Sequence, residues 1–577
     1  MKGIILKKKA GLQEPCPGVP YSGNRKDPFV DIWPSRRASW NLFMPNISDE
    51  EIKTLRRYLF FYRTLNEDPA GKPNFAPNFI GGSWRGSKTR ETLNAHFDRR
   101  VPIIEIPDSG AKETEEAIGA AYGYWTSLEW TKETLAYRKW VIQNLSRILN
   151  YYYEDCLREI RHQIPKTRLE ADKDFWEAKR SADHLAGAAE KVMESTVSPQ
   201  MIYGHHYWRN QFLPVGVSTI LTPMNFIYGI PVIQLAAAYL AGVPIIFKGH
   251  PFAAITNTTL VRMFLAAGAD PRSIQKIEGF GKKIEGLATD PRVARVSLTG
   301  SNETAEHIQN KLPYPDKLFF EGGGCNWAWI DGEYSHAELV RIAERLSSAK
   351  LSFSSHKCTT LHGIAASRET LDRLLPLLED EFEKWKITDP RKTEENKVIG
   401  PIMVHEPANV RHIQVEMLSR PENETKDTLA GVWIPNEETR YGKYAAPQII
   451  PNITPESEIT INWDKKGERT FKLATTELFL PVLVTMEMNF ERFINFCLFE
   501  NPHSLSTSLY TRDSSKIESA KRLLGGMLKI NDGTDGALEW EEFGGSGIGP
   551  SGNMGVGEAE TTIKIFCRKQ KGRFIEF

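Results

Sequence analysis

The sequence predicts an α/β fold in more than one domain, and three observations carry that reading. Between residues 215 and 320, short β-branched runs alternate with helical stretches, the pattern of βαβ units around a parallel sheet. From about residue 335 to 530 the alternation begins again, which predicts a second α/β domain. At 577 residues the chain is also too long for one compact core, so two or three domains are expected.

Taken in order, residues 1–80 are rich in Pro, Arg and aromatics, with one helical stretch at 48–62, and read as an N-terminal extension that wraps the body or caps an interface. From 113 to about 191 the pattern is helical almost throughout, and 201–220 reads as strands. The β-branched run 215–221 ends in Thr222-Pro223, and a helix is expected to about residue 240. A strand at 243–247, a helix at 253–267 and a short strand leading to Gly279-Phe280-Gly281 follow. Strands at 293–298 and 317–320 flank the helix opened by Thr299-Gly300-Ser301. Parallel sheets bind ligands at the carboxyl ends of their strands. The residues just past each strand are therefore the ones to inspect: Asn225, Lys248, Gly279 to Gly281, Gly300-Ser301 and Glu321. The tail holds a glycine-rich loop, FGGSGIGPSG, and an alternating strand expected at 561–566.

Lys+Arg and Asp+Glu both number 73, so the formal net charge is zero and no broad basic field is available for nucleic acid or an anionic membrane. The expected partner is a small molecule or another copy of the chain. Residues 229–247 have the length of a membrane span and no charge, but Gly242-Val243-Pro244 divides them into a buried helix and a buried strand, so no span is expected. The basic N-terminus carries too short an apolar run for a signal peptide. Six cysteines, at 16, 156, 325, 358, 497 and 567, show no metal-like spacing, and no metal site is expected. Reduced thiols and a cytoplasmic location are the reading, with one thiol free to do chemistry and the rest as packing.

Cys358, in SFSSHKCTT, sits among small and polar residues beside Lys357, where positive charge favours the nucleophilic thiolate. Taken alone, such a cysteine is more often filler. Glu321 ends an apolar strand ahead of three glycines, which let backbone approach a ligand closely; a helix cap or salt bridge is the plain alternative. Asn225 follows another strand and suits an oxyanion, though turn-forming is its bland role. Lys248 stands at a strand end suited to ribose hydroxyls or phosphate, where a solvated lysine is the ordinary reading.

Individually weak, these signals recur in a fixed order: TPMNF, FKGHP, the GFG turn, SLTGS, FEGGG, SHKC and TTELFLPV. Lys248 follows Asn225 by 23 residues, Gly300 by 75 and Glu321 by 96, and Cys358 follows Glu321 by 37. In this series the chain resembles the aldehyde dehydrogenase superfamily of the NAD(P)-dependent, hydrolytic type, from about residue 80 to the C-terminus. The resemblance implies a Rossmann-type cofactor domain at 81–322, with an oligomerisation hairpin at about 198–214. It also implies an α/β catalytic domain at 323–550 and a C-terminal oligomerisation strand at 551–577, the two β segments forming an arm. It implies NAD or NADP as cofactor, an aldehyde as substrate, and a homodimer or homotetramer. Cys358 would attack the aldehyde, the Asn225 side chain and the Cys358 N–H would hold the oxyanion, and Glu321 would activate the hydrolytic water. Thr222, Pro223, Gly281 and Thr299 would line the cofactor, Lys248 would hold the adenosine ribose, and Gly300-Ser301 the pyrophosphate at a helix N-terminus. Glu477 would hold the nicotinamide ribose, with Phe479 beside the ring.

Some positions depart from the family pattern. His356 stands where a glutamine is usual, Leu480 replaces a glycine, and Cys325 replaces a lysine and is a second candidate thiol. Pro251 stands where NAD-preferring relatives often carry a glutamate, so NADP is allowed and His250 is in reach of a 2′-phosphate. A CoA-acylating dehydrogenase commonly lacks the base that Glu321 supplies here. A silent, structural or binding member of the fold would be expected to lose Cys358 or Glu321, and both are present. The aromatics of HHYWRNQFLPVG (205–216), Tyr207 and Trp208 among them, suit a subunit interface. The substrate stays open; a semialdehyde would require a basic anchor in the substrate tunnel, whose residues the sequence does not place.

Overall fold

In a computed structural model, the structure describes residues 25–26, 46–62, 64–193, 200–202, 205–404, 406–418, 435–464, 467–536, 541 and 557–574. Two large sheets organise it. The first is assembled from β1 (Asn78–Ile80), β2 (Ser83–Arg85), β4 (Ser218–Leu221), β5 (Ile245–Lys248), β6 (Ile274–Lys276), β7 (Arg295–Thr299) and β8 (Leu318–Glu321), with Arg25–Lys26 at one edge. Its order runs Arg25–Lys26, β2, β1, β6, β5, β4, β7, β8. The strands from β6 to β8 are parallel, whereas β1 and β2 join antiparallel. The sheet thus extends ahead of residue 81. Residues 46–62 also enter the core, where Ile52 and Leu59 are fully buried.

Chain direction across the sheet reverses between β4 and β7: β5 and β6 build outward on one side, β7 and β8 on the other. That reversal leaves a crevice at the carboxyl ends of the two central strands. Helix α5 (Gly229–Ala241) covers one face and is buried on nearly every side, so it is apolar but for Gln234 and the Tyr239 hydroxyl, both hydrogen-bonded. It stops at Gly242, whose φ of 84° is a conformation that glycine adopts without strain. Each large side chain buried in this layer, such as Leu235 or Phe247, contributes about 1.5–3 kcal/mol. Among the described residues no helix is long and apolar enough to cross a membrane.

The second sheet has six parallel strands. They are β9 (Asn326–Ile330), β10 (Leu361–Ala366), β11 (Gln448–Ile450), β12 (Val482–Glu487), β13 (Ser506–Tyr510) and β14 (Met527–Ile530), in the order β11, β12, β10, β9, β13, β14. Helix α8 (His336–Leu351) leads from β9 into the loop that carries Cys358.

A third, small sheet pairs β3 (His205–Pro214) with Gln200–Ile202 and with β15 (Cys567–Phe574). Residues 561–566, expected as strand, are helical instead: α9 spans Ala559–Ile565, and the last strand starts only at Cys567. The reason is local. The Glu558 side chain accepts hydrogen bonds from the N–H groups of Glu560 and Thr561, capping a helix N-terminus. The alternation of Thr562, Ile563 and Ile565 then serves a buried helical face on α4 (Arg168–Met193) rather than a sheet. The glycine-rich loop at 543–552, Cys16, and the side chains of Tyr207 and Trp208 lie outside the described residues.

Candidate active site

The carboxyl edge of the first sheet gathers the residues expected at a cofactor. Lys248 ends β5, and burial lowers its ammonium pKa against the pull of Glu278. Thr222 follows β4; its N–H donates to the Lys248 carbonyl at 3.3 Å, and its buried hydroxyl has no hydrogen-bond partner among the described residues. Thr299 ends β7 and receives a 2.6 Å bond from Gln234. Ser301 caps α7 (Asn302–Gln309), accepting from the Thr304 N–H at 3.2 Å. The Gly300 N–H is committed to the Glu321 carbonyl at 3.0 Å, so the N–H groups this edge offers are those of the first turn of α7 rather than that of Gly300. Gly281 lies in open surroundings, and the strained turn position is Gly279, with φ of 147°. His250 does not present a cation to the cofactor. Its Nδ1 accepts the Phe252 N–H at 3.3 Å, and burial, with Lys248 nearby, pushes its pKa down to about 3.

Glu321 ends β8, paired opposite Thr299, and is buried. The glycines after it are a steric requirement. A Cβ on Gly323 would collide with the Glu477 carboxylate, and one on Gly324 with the Cys358 carbonyl. The Gly324 N–H donates to Glu477 Oε1 at 3.0 Å, and burial raises the Glu477 carboxyl to about 8 against that bond and the charge of Lys350. Lys350, also buried, is pushed down to about 7. Phe479 lies nearby with a strained φ of 50° and its ring 5.8 Å from that of His356.

The candidate nucleophile, Cys358, sits on a different kind of support. Phe353, Ser354 and Ser355 take φ values of 55°, 53° and 65°, three successive left-handed residues without a glycine. Each is tied down. The Phe353 N–H donates to Glu170, Ser354 Oγ accepts the Gly400 N–H at 2.7 Å, and Ser355 Oγ donates to the Lys350 carbonyl at 2.8 Å. His356 Nε2 accepts the Met403 N–H at 3.2 Å while Nδ1 faces the Phe353 carbonyl at 3.1 Å, partners that assign the tautomer protonated on Nδ1. Asn225 Nδ2 donates to the His356 carbonyl at 3.0 Å, and Asn326 Nδ2 to the Cys358 carbonyl at 2.7 Å. Lys357 Nζ is 2.6 Å from Asp535, whose other oxygen takes Arg345 at 2.7 Å. Cys358 itself keeps partial access to solvent. Its thiol is pushed up to about 12, first by burial and then by the carboxylates of Glu477, Glu321 and Glu177, with Lys357 opposing.

The description "Aldehyde dehydrogenase family" matches residues 84–567. The chain belongs to the aldehyde dehydrogenase family. Among curated proteins it is similar to the alpha-ketoglutaric semialdehyde dehydrogenase of Bacillus subtilis, 25% identical over 493 residues covering 84% of this chain and 95% of that protein. It is 24% identical to the 2-aminomuconic semialdehyde dehydrogenase of Mus musculus over 509 residues, covering 85% and 98%. Among solved structures, a variant of Thermus thermophilus 1-pyrroline-5-carboxylate dehydrogenase superposes with a TM-score of 0.76 at 18% identity, covering 96% of this chain and 99% of that one. A variant of Staphylococcus aureus betaine aldehyde dehydrogenase in complex with NAD+ gives 0.76 at 18%, covering 86% and 97%.

Within this aldehyde dehydrogenase the α/β fold is as expected, and NAD or NADP is the cofactor expected of it. The residues fit a dinucleotide: among the described residues the buried Thr222 hydroxyl lacks a partner and Lys248 stands half-buried at the same edge, while Gly323 leaves the Glu477 carboxylate room to reach inward. The structure brings Asn225, Glu321, Glu477, Phe479 and Cys358 to one centre, with Thr222, Pro223, Lys248, Thr299 and Ser301 along the strand ends leading away from it. Cys325 is fully buried, donating to the Ala474 carbonyl at 3.2 Å, with its thiol pushed well up by burial, the profile of a packing residue. Sequence reasoning missed Asp535, Asn326, Glu170 and Glu177. No pattern links residue 535 to residue 357; the one available hint is that a lysine beside a buried nucleophile needs a counter-charge.

Proposed function

We propose that this aldehyde dehydrogenase uses Cys358 as nucleophile and Glu321 as general base, oxidising an aldehyde to a carboxylic acid with NAD or NADP. One observation carries the reading: three segments distant in sequence converge on one sulfur. Asn225 is bonded to the nucleophile loop at 3.0 Å, and Glu321 and Glu477 are among the carboxylates acting on the thiol. A thiol held protonated at rest gives up its proton as it adds to the carbonyl; Glu321 is the acceptor, and it passes that proton to solvent before it acts on the hydrolytic water. The oxyanion of the thiohemiacetal is met by the second N–H of the Asn225 amide, the first being spent on the His356 carbonyl, and by the Cys358 N–H. When bound, the dinucleotide supplies the two-electron oxidant that turns the thiohemiacetal into a thioester. Glu321 then takes a proton from water, the hydroxide adds to the thioester carbonyl, and the carboxylic acid leaves as the thiol is restored. Lys248 and Glu477 would hold the two riboses, and the first turn of α7 the pyrophosphate. The division at about residue 322, and assembly through β3 and β15 into a dimer or tetramer, belong to the same reading.

The test follows reduced cofactor on a panel of aldehydes, with and without CoA. Turnover without CoA, abolished in Cys358→Ala and reduced to one burst in Glu321→Gln, is expected. Turnover that requires CoA would place the protein among acylating dehydrogenases, and full activity in Cys358→Ala would sink the assignment of the nucleophile.

A further inference from the structure

Ammonium groups surround one aromatic ring at the threshold of the nucleophile. Phe353 opens the loop that ends in Cys358, and it stacks on Phe226, the residue after Asn225, with centroids 5.2 Å apart and planes 21° from parallel. Lys357 Nζ lies 4.8 Å from the Phe353 centroid, Lys166 Nζ 5.1 Å and Lys173 Nζ 6.0 Å. Two of these cations are answered. Lys166, 4% exposed, pairs with Asp174 at 3.1 Å, and Lys357, 7% exposed, pairs with Asp535 at 2.6 Å. Arg345, beyond Asp535, is answered by both Asp535 and Asp532.

Lys173 differs. Among the described residues it makes neither an ion pair nor a hydrogen bond, and it is the exposed member of the trio. Burial of part of its stem, and then the charge of Lys357, lower its ammonium pKa, with Asp535 and Glu170 opposing. Glu170 is already occupied by the N–H groups of Phe353 and Thr167. Glu177, one turn further along α4, packs against Gly229 at the start of α5. A cation left beside another cation, over an aromatic face and open to solvent, is a site in want of an anion.

We propose that Lys173, supported by Lys357, receives an anionic group of the substrate, so that the aldehyde this enzyme oxidises carries a carboxylate. The edges of the stacked Phe353 and Phe226 rings line the path of the carbon chain between the two ends. The carbonyl lies at Cys358 and Asn225, and the carboxylate reaches the ammonium of Lys173. The inference rests on the assignment of Cys358 as nucleophile and adds the class of substrate to it.

The experiment compares succinic semialdehyde with its methyl ester, a neutral molecule of the same reach, using NAD and NADP. In the wild-type enzyme kcat/KM is expected to favour the acid by tenfold or more. Lys173→Met should remove most of that preference through KM, leaving kcat on the acid within a few-fold, and Lys173→Arg should keep it. Thermal melting of each variant checks that the fold is intact. Equal use of acid and ester by the wild type, or equal loss on both in Lys173→Met, overturns the proposal while leaving the nucleophile assignment standing. Activity that survives Cys358→Ala on either compound overturns both.

Discussion

The two halves of the proposed active centre are held in place by different means. On the cofactor side, Lys248, Thr299 and Glu321 are fixed because each ends a parallel strand, and the sheet's register sets their spacing. On the nucleophile side, residues 353–358 follow no regular element. They hold a sequence of left-handed conformations through separate contacts from Glu170, Gly400, Lys350, Met403, Asn225 and Asp535. A sheet edge tolerates the loss of one contact, because backbone pairing carries the position. A loop held by individual tethers, each opposing backbone strain of about 1–3 kcal/mol per residue, should not.

The seam between the halves is where the difference should break most sharply. Gly324 is adjacent both to Glu477, through its N–H, and to the Cys358 carbonyl, through the space a Cβ would need. Gly324→Ala forces the backbone of the nucleophile to move, since the obstructing atom is a carbonyl oxygen and not the tip of a flexible side chain. A displacement near 1 Å at a reacting centre costs about 100-fold in rate. The expected result is a fall in kcat of that order, with the protein still folded by circular dichroism. A variant within threefold of wild type would mean the loop is less constrained than its tethers imply.

Asp535→Ala tests a single tether. It leaves Lys357 and Arg345 facing each other with little solvent, and breaking a buried pair costs about 3–5 kcal/mol, read as a lowered melting temperature. The pH dependence has a definite sign. Burial alone would raise the Asp535 carboxyl, but Lys357 and Arg345 outweigh it and hold it far below the usual carboxylate range. A depressed acid contributes stability that is present above its ordinary pKa and lost as pH falls through the folded value. Wild type should therefore lose an increment of stability below about pH 4 that Asp535→Asn lacks. Alkylation of Cys358 should also shift to lower pH in the variant, because an unanswered Lys357 favours the thiolate. An unchanged alkylation profile beside a lowered melting temperature would make Asp535 a structural tether alone.

The same division explains what was legible in the sequence. Strand ends were found within about two residues because β-branched runs report the sheet directly, and the glycines after Glu321 report the close approach they permit. The nucleophile loop was legible in identity and not in form: nothing in SFSSHKCTT announces left-handed residues at 353–355, nor that Asp535 would answer Lys357. Residues 561–566 failed for another reason. Thr-Thr-Ile-Lys-Ile-Phe alternates well enough for a strand, and the cap from Glu558 together with burial against α4 decided for helix. His250, expected in reach of a 2′-phosphate, accepts the Phe252 N–H through Nδ1 and is neutral at rest, which leaves its Nε2–H to donate.

The last expected effect concerns Glu477, where the two halves meet. Burial raises its carboxyl to about 8 even though the Gly324 N–H and Lys350 favour the charged form. A carboxyl raised on folding contributes stability that is complete below its ordinary pKa, about 4.3, and is lost as pH rises through the folded value near 8. The resting protein should therefore lose stability between those limits with a slope of at most about 1.4 kcal/mol per pH unit from this group. Glu477→Gln, which cannot ionise, should show a flatter melting-temperature profile from pH 5 to 9 and meet or exceed wild type at the alkaline end. A neutral Glu477 at rest would also mean that the carboxylate needed to accept two ribose hydroxyls forms only as the cofactor arrives, making cofactor affinity rise with pH in wild type and not in Glu477→Gln. Parallel profiles for the two proteins would show instead that Glu477 is ionised at rest, its burial answered by a protonated Lys350.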